Sequence, residues 1–366
     1  MAQNDSQAIG NDLGLKNVLV ARFSALGDVA MTIPVLYSAC KCYPGVRFIF
    51  VTRPAMTGIF LNKPDNLVVI GADVKKDYKG PKGLWRLAGE LKEKYQIDAF
   101  VDLHDVLRTK LLLNFLRLKG VKTTKINKGR RHKHALTRRH NKVMLPLVSS
   151  RARYRQAFFK AGLPIESNFQ GLYGASGKGD PALFQDITQG PKPQGEKWVG
   201  IAPFAAHAGK VYPIDKMAEV ARALVARGDC RVFIFGAGGW EKEQAEKLEA
   251  MDSRITSLAG KRYGFPAELA LLSHLDAMVT MDSANMHLAA LAGVRTVSIW
   301  GATHYYCGFR AWHQSDADMV QLPLSCRPCS VFGDKKCFRG DMLCMAAIRP
   351  EVITHKINEI LDAPNG

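Results

Sequence analysis

Short apolar runs alternate along this chain with longer segments whose apolar residues recur every three or four positions. In the first half, residues 18–21, 48–51, 67–70 and 99–103 read as strands, and residues 34–43 and 84–95 carry helical periodicity. Such alternation predicts parallel strands joined by crossover helices. Residues 105–118 set leucines at 107, 111, 112, 116 and 118 against Arg108, Lys110, Asn114 and Arg117. A basic amphipathic helix of this kind either covers a sheet or lies on a membrane surface. The pattern breaks over residues 167–195, where Gly, Pro and polar side chains mark a linker. It restarts with strand-like runs at 198–202, 231–235, 256–258, 277–280 and 296–300. Pro213 opens a helix that Gly228 ends, and a last helix is expected over 350–361. The expected organisation is two α/β domains, 1–175 and 176–345, followed by a terminal segment, 346–366.

Length and charge sharpen this picture. At 366 residues the chain is too long for one compact core, and its 47% hydrophobic content suffices for two. Residues 1–17 hold neither a basic n-region nor an apolar run, and no stretch reaches bilayer length, so a cytoplasmic protein with at most peripheral membrane contact is expected. The net charge of +18 is concentrated in residues 119–142, KGVKTTKINKGRRHKHALTRRHNK, which contain no acid. The block is either a solvated loop or a site for a polyanion: nucleic acid, anionic headgroups or a phosphorylated glycolipid. Its single sign favours the second. Four of the eight cysteines, Cys326, Cys329, Cys337 and Cys344, cluster near the C-terminus as zinc ligands or reduced buried thiols. Cys40 and Cys42 are expected in a core.

Candidate chemistry lies in two stretches. Residues 17–34, NVLVARFSALGDVAMTIP, read as a strand, a turn of small residues carrying Asp28, and an apolar segment. A carboxylate just past a strand end sits where open α/β sheets build their sites; Asp28 either caps the next helix or acts as a base. Residues 277–301, AMVTMDSANMHLAALAGVRTVSIWG, place Asp282, Ser283 and His287 at a strand end and the start of a helix. Amides at that start can hold phosphate oxygens, with Ser283 adding a hydroxyl. Between these stretches, Lys210 stands in a loop before Tyr212 and Pro213, and Gly236, Gly238 and Gly239 link a strand to a helix without a full dinucleotide fingerprint.

Together the two stretches resemble glycosyltransferase family 9, the heptosyltransferases of the lipopolysaccharide inner core. Arg22, Ser24, Gly27 and Asp28 match R-x-S-x-x-G-D, and Asp282, Ser283, His287, Ala289 and Ala290 match D-S-x-x-x-H-x-A-A. The resemblance implies a GT-B architecture: two Rossmann-like domains with a cleft between them, the first binding acceptor, the second nucleotide sugar, and the last helix packing back on the first. It implies Asp28 as base and Lys210, in a K-x-W/Y-P element, as the cation that steadies the leaving diphosphate. Donor contacts are expected from Ser24, Gly27, Gly236, Glu241, Asp282, Ser283, His287, Gly301 and Thr303. Glu243 is an alternative to Glu241 at the ribose, and Asp282 orients Lys210 or the sugar. Arg130, Arg131, Lys133, Arg138 and Arg139 are the acceptor candidates. Where the family reads G-P-T-x-P, this chain has Gly301, Ala302, Thr303, His304 and Tyr305; losing two φ-fixing prolines predicts a looser loop. No Asp-x-Asp element stands nearby, so neither metal nor cofactor is expected beyond an ADP-sugar substrate.

The expected activity is inverting, metal-independent transfer of heptose from ADP-heptose to a phosphorylated or acidic glycolipid, at the inner face of the inner membrane and without nucleic acid. The alternatives are a nucleotide-sugar epimerase or hydrolase of the same fold, and a nucleic-acid-binding protein, for which no recognition motif is present.

Overall fold

Continuous apolar runs become strands that neighbours cover on both faces. The first sheet contains β1 (Asn17–Ala21), β2 (Arg47–Thr52), β3 (Leu67–Gly71), β4 (Ala99–Asp102) and β5 (Lys122–Lys125). All pair in parallel, in the order β3-β2-β1-β4-β5. This is a computed structural model, which describes residues 14–175 and 177–363; most of the N-terminal stretch read above for a secretory signal lies outside them. The helices of this part are α1 (Leu26–Ala30), α2 (Ile33–Cys42), α3 (Gly80–Tyr95) and α4 (Leu107–Leu118). On α4, Leu112, Leu113 and Leu116 are buried in the sheet's core, so the basic amphipathic helix covers the sheet; of its leucines only Leu107 and Leu118, at its ends, are exposed, alongside Arg108, Asn114 and Arg117. β5 escapes the sequence pattern because an edge strand reading KTTK buries no apolar face.

Two further helices follow, α5 (Arg130–Thr137) and α6 (Ser150–Lys160). The second sheet then forms around α7 (Gln185–Thr188), β6 (Lys197–Ala202), α8 (Ile214–Val225), β7 (Cys230–Ile234), α9 (Trp240–Glu249), β8 (Ile255–Ser257) and α10 (Phe265–His274). It is completed by β9 (Ala277–Met281), α11 (Ala284–Leu291), β10 (Thr296–Trp300), β11 (Met319–Gln321), α12 (Leu343–Ala346) and α13 (Pro350–Leu361). Its parallel order is β11-β10-β9-β6-β7-β8. Among the described residues no helix is long and apolar enough to cross a membrane.

The chain divides into two compact units: one gathers residues up to Gly129 together with Val148–Gln170, the other Arg130–Leu147 and the chain from Gly171 onward. Two expectations are corrected here. The basic segment containing α5 belongs with the second unit, not the first. Its Lys133 ammonium lies 4.6 Å from the centre of the Phe309 ring, Arg139 lies over Phe338, and the Leu147 amide donates to Tyr306. The last helix, expected on the first domain, belongs to the second unit. Ile353, Ile357 and Leu361 of α13 enter the second unit's core with Val220 and Leu224 of α8, and Arg227 ties Asn358 and Asp362 to the end of α8.

In each sheet the strand order reverses once, between β1 and β4 and between β6 and β9. The crevice beyond the carboxyl ends of such a pair is where open α/β sheets bind ligands. Both motif stretches begin with a strand, β1 or β9, that ends at one of these points.

Glu268 in the first turn of α10 adds a pH dependence to the fold. Burial pushes its carboxyl up from 4.5 to about 7. The folded chain therefore keeps a proton that the unfolded chain has released, and stability falls as pH rises across that window. Glu268→Gln is expected to flatten this slope and stabilise the protein at pH 8 by about 1–3 kcal/mol. Urea unfolding at pH 5 and pH 8 measures it; an unchanged slope contradicts it.

Candidate active site

At the first switch point, Arg22 leaves the end of β1 and Asp28 stands in α1. Their side chains form an ion pair, Arg22 Nη2 to Asp28 Oδ2, at 2.5 Å, with Arg22 buried and Asp28 partly open. Arg22 Nη1 donates to the Leu103 carbonyl at 2.6 Å, which joins the ends of β1 and β4. Burial lowers the guanidinium's pKa, but Tyr154 and Asp28 outweigh it, and the net direction is upward. Asp28 also caps α1, its Oδ2 accepting from the Ala25 amide at 3.4 Å. Oδ1 has no hydrogen-bond partner among the described residues. The Asp28 carbonyl accepts from the Tyr154 hydroxyl at 3.2 Å, which fixes the turn from α6. Ser24 and Gly27 lie on this same turn in the first unit.

The second switch point carries the other charged pair. Lys210, in the loop that follows β6, places Nζ 2.9 Å from Asp282 Oδ2, just after β9. The Thr303 hydroxyl donates to the same oxygen at 2.8 Å. Asp282 thus orients Lys210 across the strand-order reversal, and the ammonium's other donors have no partner among the described residues. Ser283 is the N-cap of α11, yet its side chain makes no cap hydrogen bond and approaches only the Thr280 hydroxyl, at 3.4 Å. His287 is buried on α11. In the glycine turn, Glu241 Oε2 accepts from the Ala237 amide at 2.7 Å, whereas Glu243 is exposed on α9; of the two, Glu241 is the one at the turn. A Cβ at Gly236 would collide with the Phe204 ring, and one at Gly301 with the Gly209 carbonyl and Met345, so both positions need glycine for close packing.

The loop after β10 is not the loose segment that its missing prolines predict. The Ala302 amide donates to Gly209 at 2.8 Å, and its carbonyl accepts from Cys329 and Ser330. Buried Arg327 donates to the carbonyls of Gly301, Leu322 and Thr303 and to the Gln321 side chain. His304 stacks on Tyr305 with ring centres 4.5 Å apart, and burial, then Arg327, lowers its pKa to about 4. Side-chain tethers replace backbone rigidity. Arg327→Leu would strand several buried carbonyls at once and is expected to cost about 3–5 kcal/mol. Thermal unfolding should drop by roughly 10 °C; an unchanged midpoint would assign the loop's order elsewhere.

Of the acceptor candidates, Lys133 and Arg139 rest on aromatic faces, Arg138 donates to the Asn141 carbonyl, and Arg130 and Arg131 are exposed. Cys326, Cys329, Cys337 and Cys344 line one small cavity as free thiols. Among the described residues, no set of three or more His, Cys, Asp or Glu side chains is arranged to hold a metal ion.

Residues 84–336 match the profile of glycosyltransferase family 9 (heptosyltransferase). The chain belongs to that family. Lipooligosaccharide heptosyltransferase 2 of Campylobacter jejuni is 24% identical over 92% of this chain and 95% of its own length. The glycosyltransferase family 9 structure from Veillonella parvula superposes with a TM-score of 0.71 at 17% identity, covering 94% of this chain and 97% of that one. The E. coli ADP-heptose lps heptosyltransferase II gives 0.66 at 16% identity, covering 95% and 98%. The fold of this family 9 chain is therefore GT-B, built of two Rossmann-like domains.

Sequence reasoning missed Asp102, the last residue of β4, and His104, two residues beyond it. The rule that singled out Asp28, a polar residue at the end of an apolar strand, also applies to the segment VDLHD.

Proposed function

We propose that this family 9 glycosyltransferase moves heptose from ADP-heptose onto a phosphorylated or acidic lipopolysaccharide-core acceptor, with inversion and without a metal ion. The observation that carries this reading is the pair of charged constellations at the two switch points, a carboxylate with one free oxygen in the first unit and a held ammonium in the second. Asp28 Oδ1 takes the proton of the acceptor hydroxyl as that oxygen bonds to the anomeric carbon. The bond from that carbon to the diphosphate breaks on the opposite side, which inverts the centre, and ADP departs with the electron pair. The free donors of Lys210 and the first amides of α11 meet the charge that develops on the diphosphate. Glu241 contacts the ribose, Gly236, Gly301, Ser283, Thr303 and His287 shape the donor pocket, and Ser24 and Gly27 complete the turn that presents Asp28. Arg130, Arg131 and Arg138 meet acceptor phosphates or carboxylates at the inner face of the inner membrane, where the enzyme sits in the cytoplasm as a peripheral protein.

Calorimetric titration with ADP and then ADP-heptose, each repeated with Lys210→Ala, tests the donor. Tighter binding of the sugar nucleotide, weakened by the substitution, is expected. Binding of neither ligand would withdraw the heptose assignment. Transfer should be unaffected by EDTA; its abolition would contradict metal independence.

A further inference from the structure

His104 sits where β4 ends, at the same switch point as Asp28. Asp102 Oδ1 accepts the amides of His104 at 2.8 Å and Asp105 at 3.0 Å. Asp105 takes a left-handed φ of 46°, so the chain turns sharply there. This turn fixes the imidazole, whose Nδ1 faces the Phe23 amide at 3.4 Å. An accepting Nδ1 leaves the proton on Nε2. The residue is 9% exposed, and Nε2 has no hydrogen-bond partner among the described residues. Arg22 and Asp28 from the β1 side, Lys128 after β5, and Arg108 at the start of α4 are the charges that act on it. Nε2 is thus an accessible donor on an otherwise buried side chain, open to a ligand atom.

We propose that His104 is a substrate-binding residue, a neutral donor whose Nε2–H holds a sugar oxygen of the acceptor beside the hydroxyl that Asp28 deprotonates. The proposal rests on the reading of Asp28 as the base. Burial, and next the positive field of Arg22, lowers the imidazole's pKa to about 3, so the ring stays uncharged throughout the working pH range. Neutrality serves the chemistry: an imidazolium at this place would pair with Asp28 and weaken it as a base. The polarity of the contact also sets its ligand class, a hydroxyl or ring oxygen, while anionic groups are left to the arginines.

Two variants separate the donor from the packing. His104→Phe keeps a ring against Phe23 and loses the N–H; His104→Gln restores a neutral N–H. With heptose-deficient lipopolysaccharide as acceptor, His104→Phe should raise the acceptor KM about tenfold or more, the loss of one hydrogen bond in a desolvated site. The KM for ADP-heptose should not change, and His104→Gln should lie within about threefold of the unaltered enzyme. Profiles of kcat/KM between pH 5 and 8 should have the same shape for the unaltered enzyme and His104→Gln. Equal acceptor KM values in all three proteins, or an acid limb that vanishes in His104→Gln, would overturn the assignment. Should His104→Phe fail to fold, the 15N imidazole spectrum of the unaltered enzyme decides: an Nε2–H resonance that shifts when acceptor is added supports the contact, and one that stays fixed overturns it. Absence of transfer by the unaltered enzyme would overturn the functional reading and this proposal with it. Normal transfer with unchanged variants would remove only the role of His104.

Discussion

Asp28→Asn is expected to lower kcat about a thousandfold, the scale of a lost general base, while the Kd for ADP-heptose changes less than about twofold. The amide keeps the size of the carboxylate and can still accept from Arg22, and the Tyr154 hydroxyl binds the backbone carbonyl of residue 28, so the turn survives. What disappears is the free basic oxygen. Arg22 remains buried beside a neutral group, with its second anchor at the Leu103 carbonyl intact. Steady-state kinetics with calorimetric titration of the donor separate these effects. A kcat within tenfold of the unaltered enzyme would remove Asp28 from the mechanism, and loss of donor binding would place it with the nucleotide instead.

Lys210→Ala is expected to reduce kcat/KM by about 10² to 10³, the scale of removing one charged group from a developing oxyanion. The substitution leaves Asp282 buried beside Thr303 without its cation. Asp282→Ala likewise leaves one charge unpaired, the Lys210 ammonium in a largely enclosed site; about 3–5 kcal/mol of stability should go. The double variant is expected to recover part of that loss, since neither charge then lacks its partner, and the two substitutions share one ion pair. Activity should not recover. Urea unfolding and transfer rates on all four proteins close the cycle; strict additivity in stability would mean that the pair is not energetically coupled.

The strands around both switch points were legible because strands covered on both faces read as continuous apolar runs, and Asp28 and Asp282 stood out as carboxylates just past their ends. β5 was not legible, since an edge strand reading KTTK has no face to bury. An amphipathic pattern tells which face of a helix is buried, not what covers it; the family resemblance placed α13 on the first domain, whereas Ile353, Ile357 and Leu361 pack beside α8. The basic block misled for a related reason: charge patterning reads Lys133 and Arg139 as free cations, but the rings that hold them are nearly two hundred residues away in sequence. The loop after β10 lacks the prolines and is held by Arg327, a tether that becomes visible only when residue 327 and residues 301–303 are brought together. His104 lay in the open beside a strand end, and a lone histidine there carries little signal until Asp102 and Phe23 are seen to fix it.

The most direct test of the central claim is the mass of the acceptor after incubation with the enzyme and ADP-heptose. Heptose-deficient lipopolysaccharide should gain the mass of one heptose residue, with ADP released in equal amount, and Asp28→Asn should give neither. Free heptose or an isomerised donor formed without any gain in acceptor mass would contradict the account and point to a hydrolase or epimerase on the same fold.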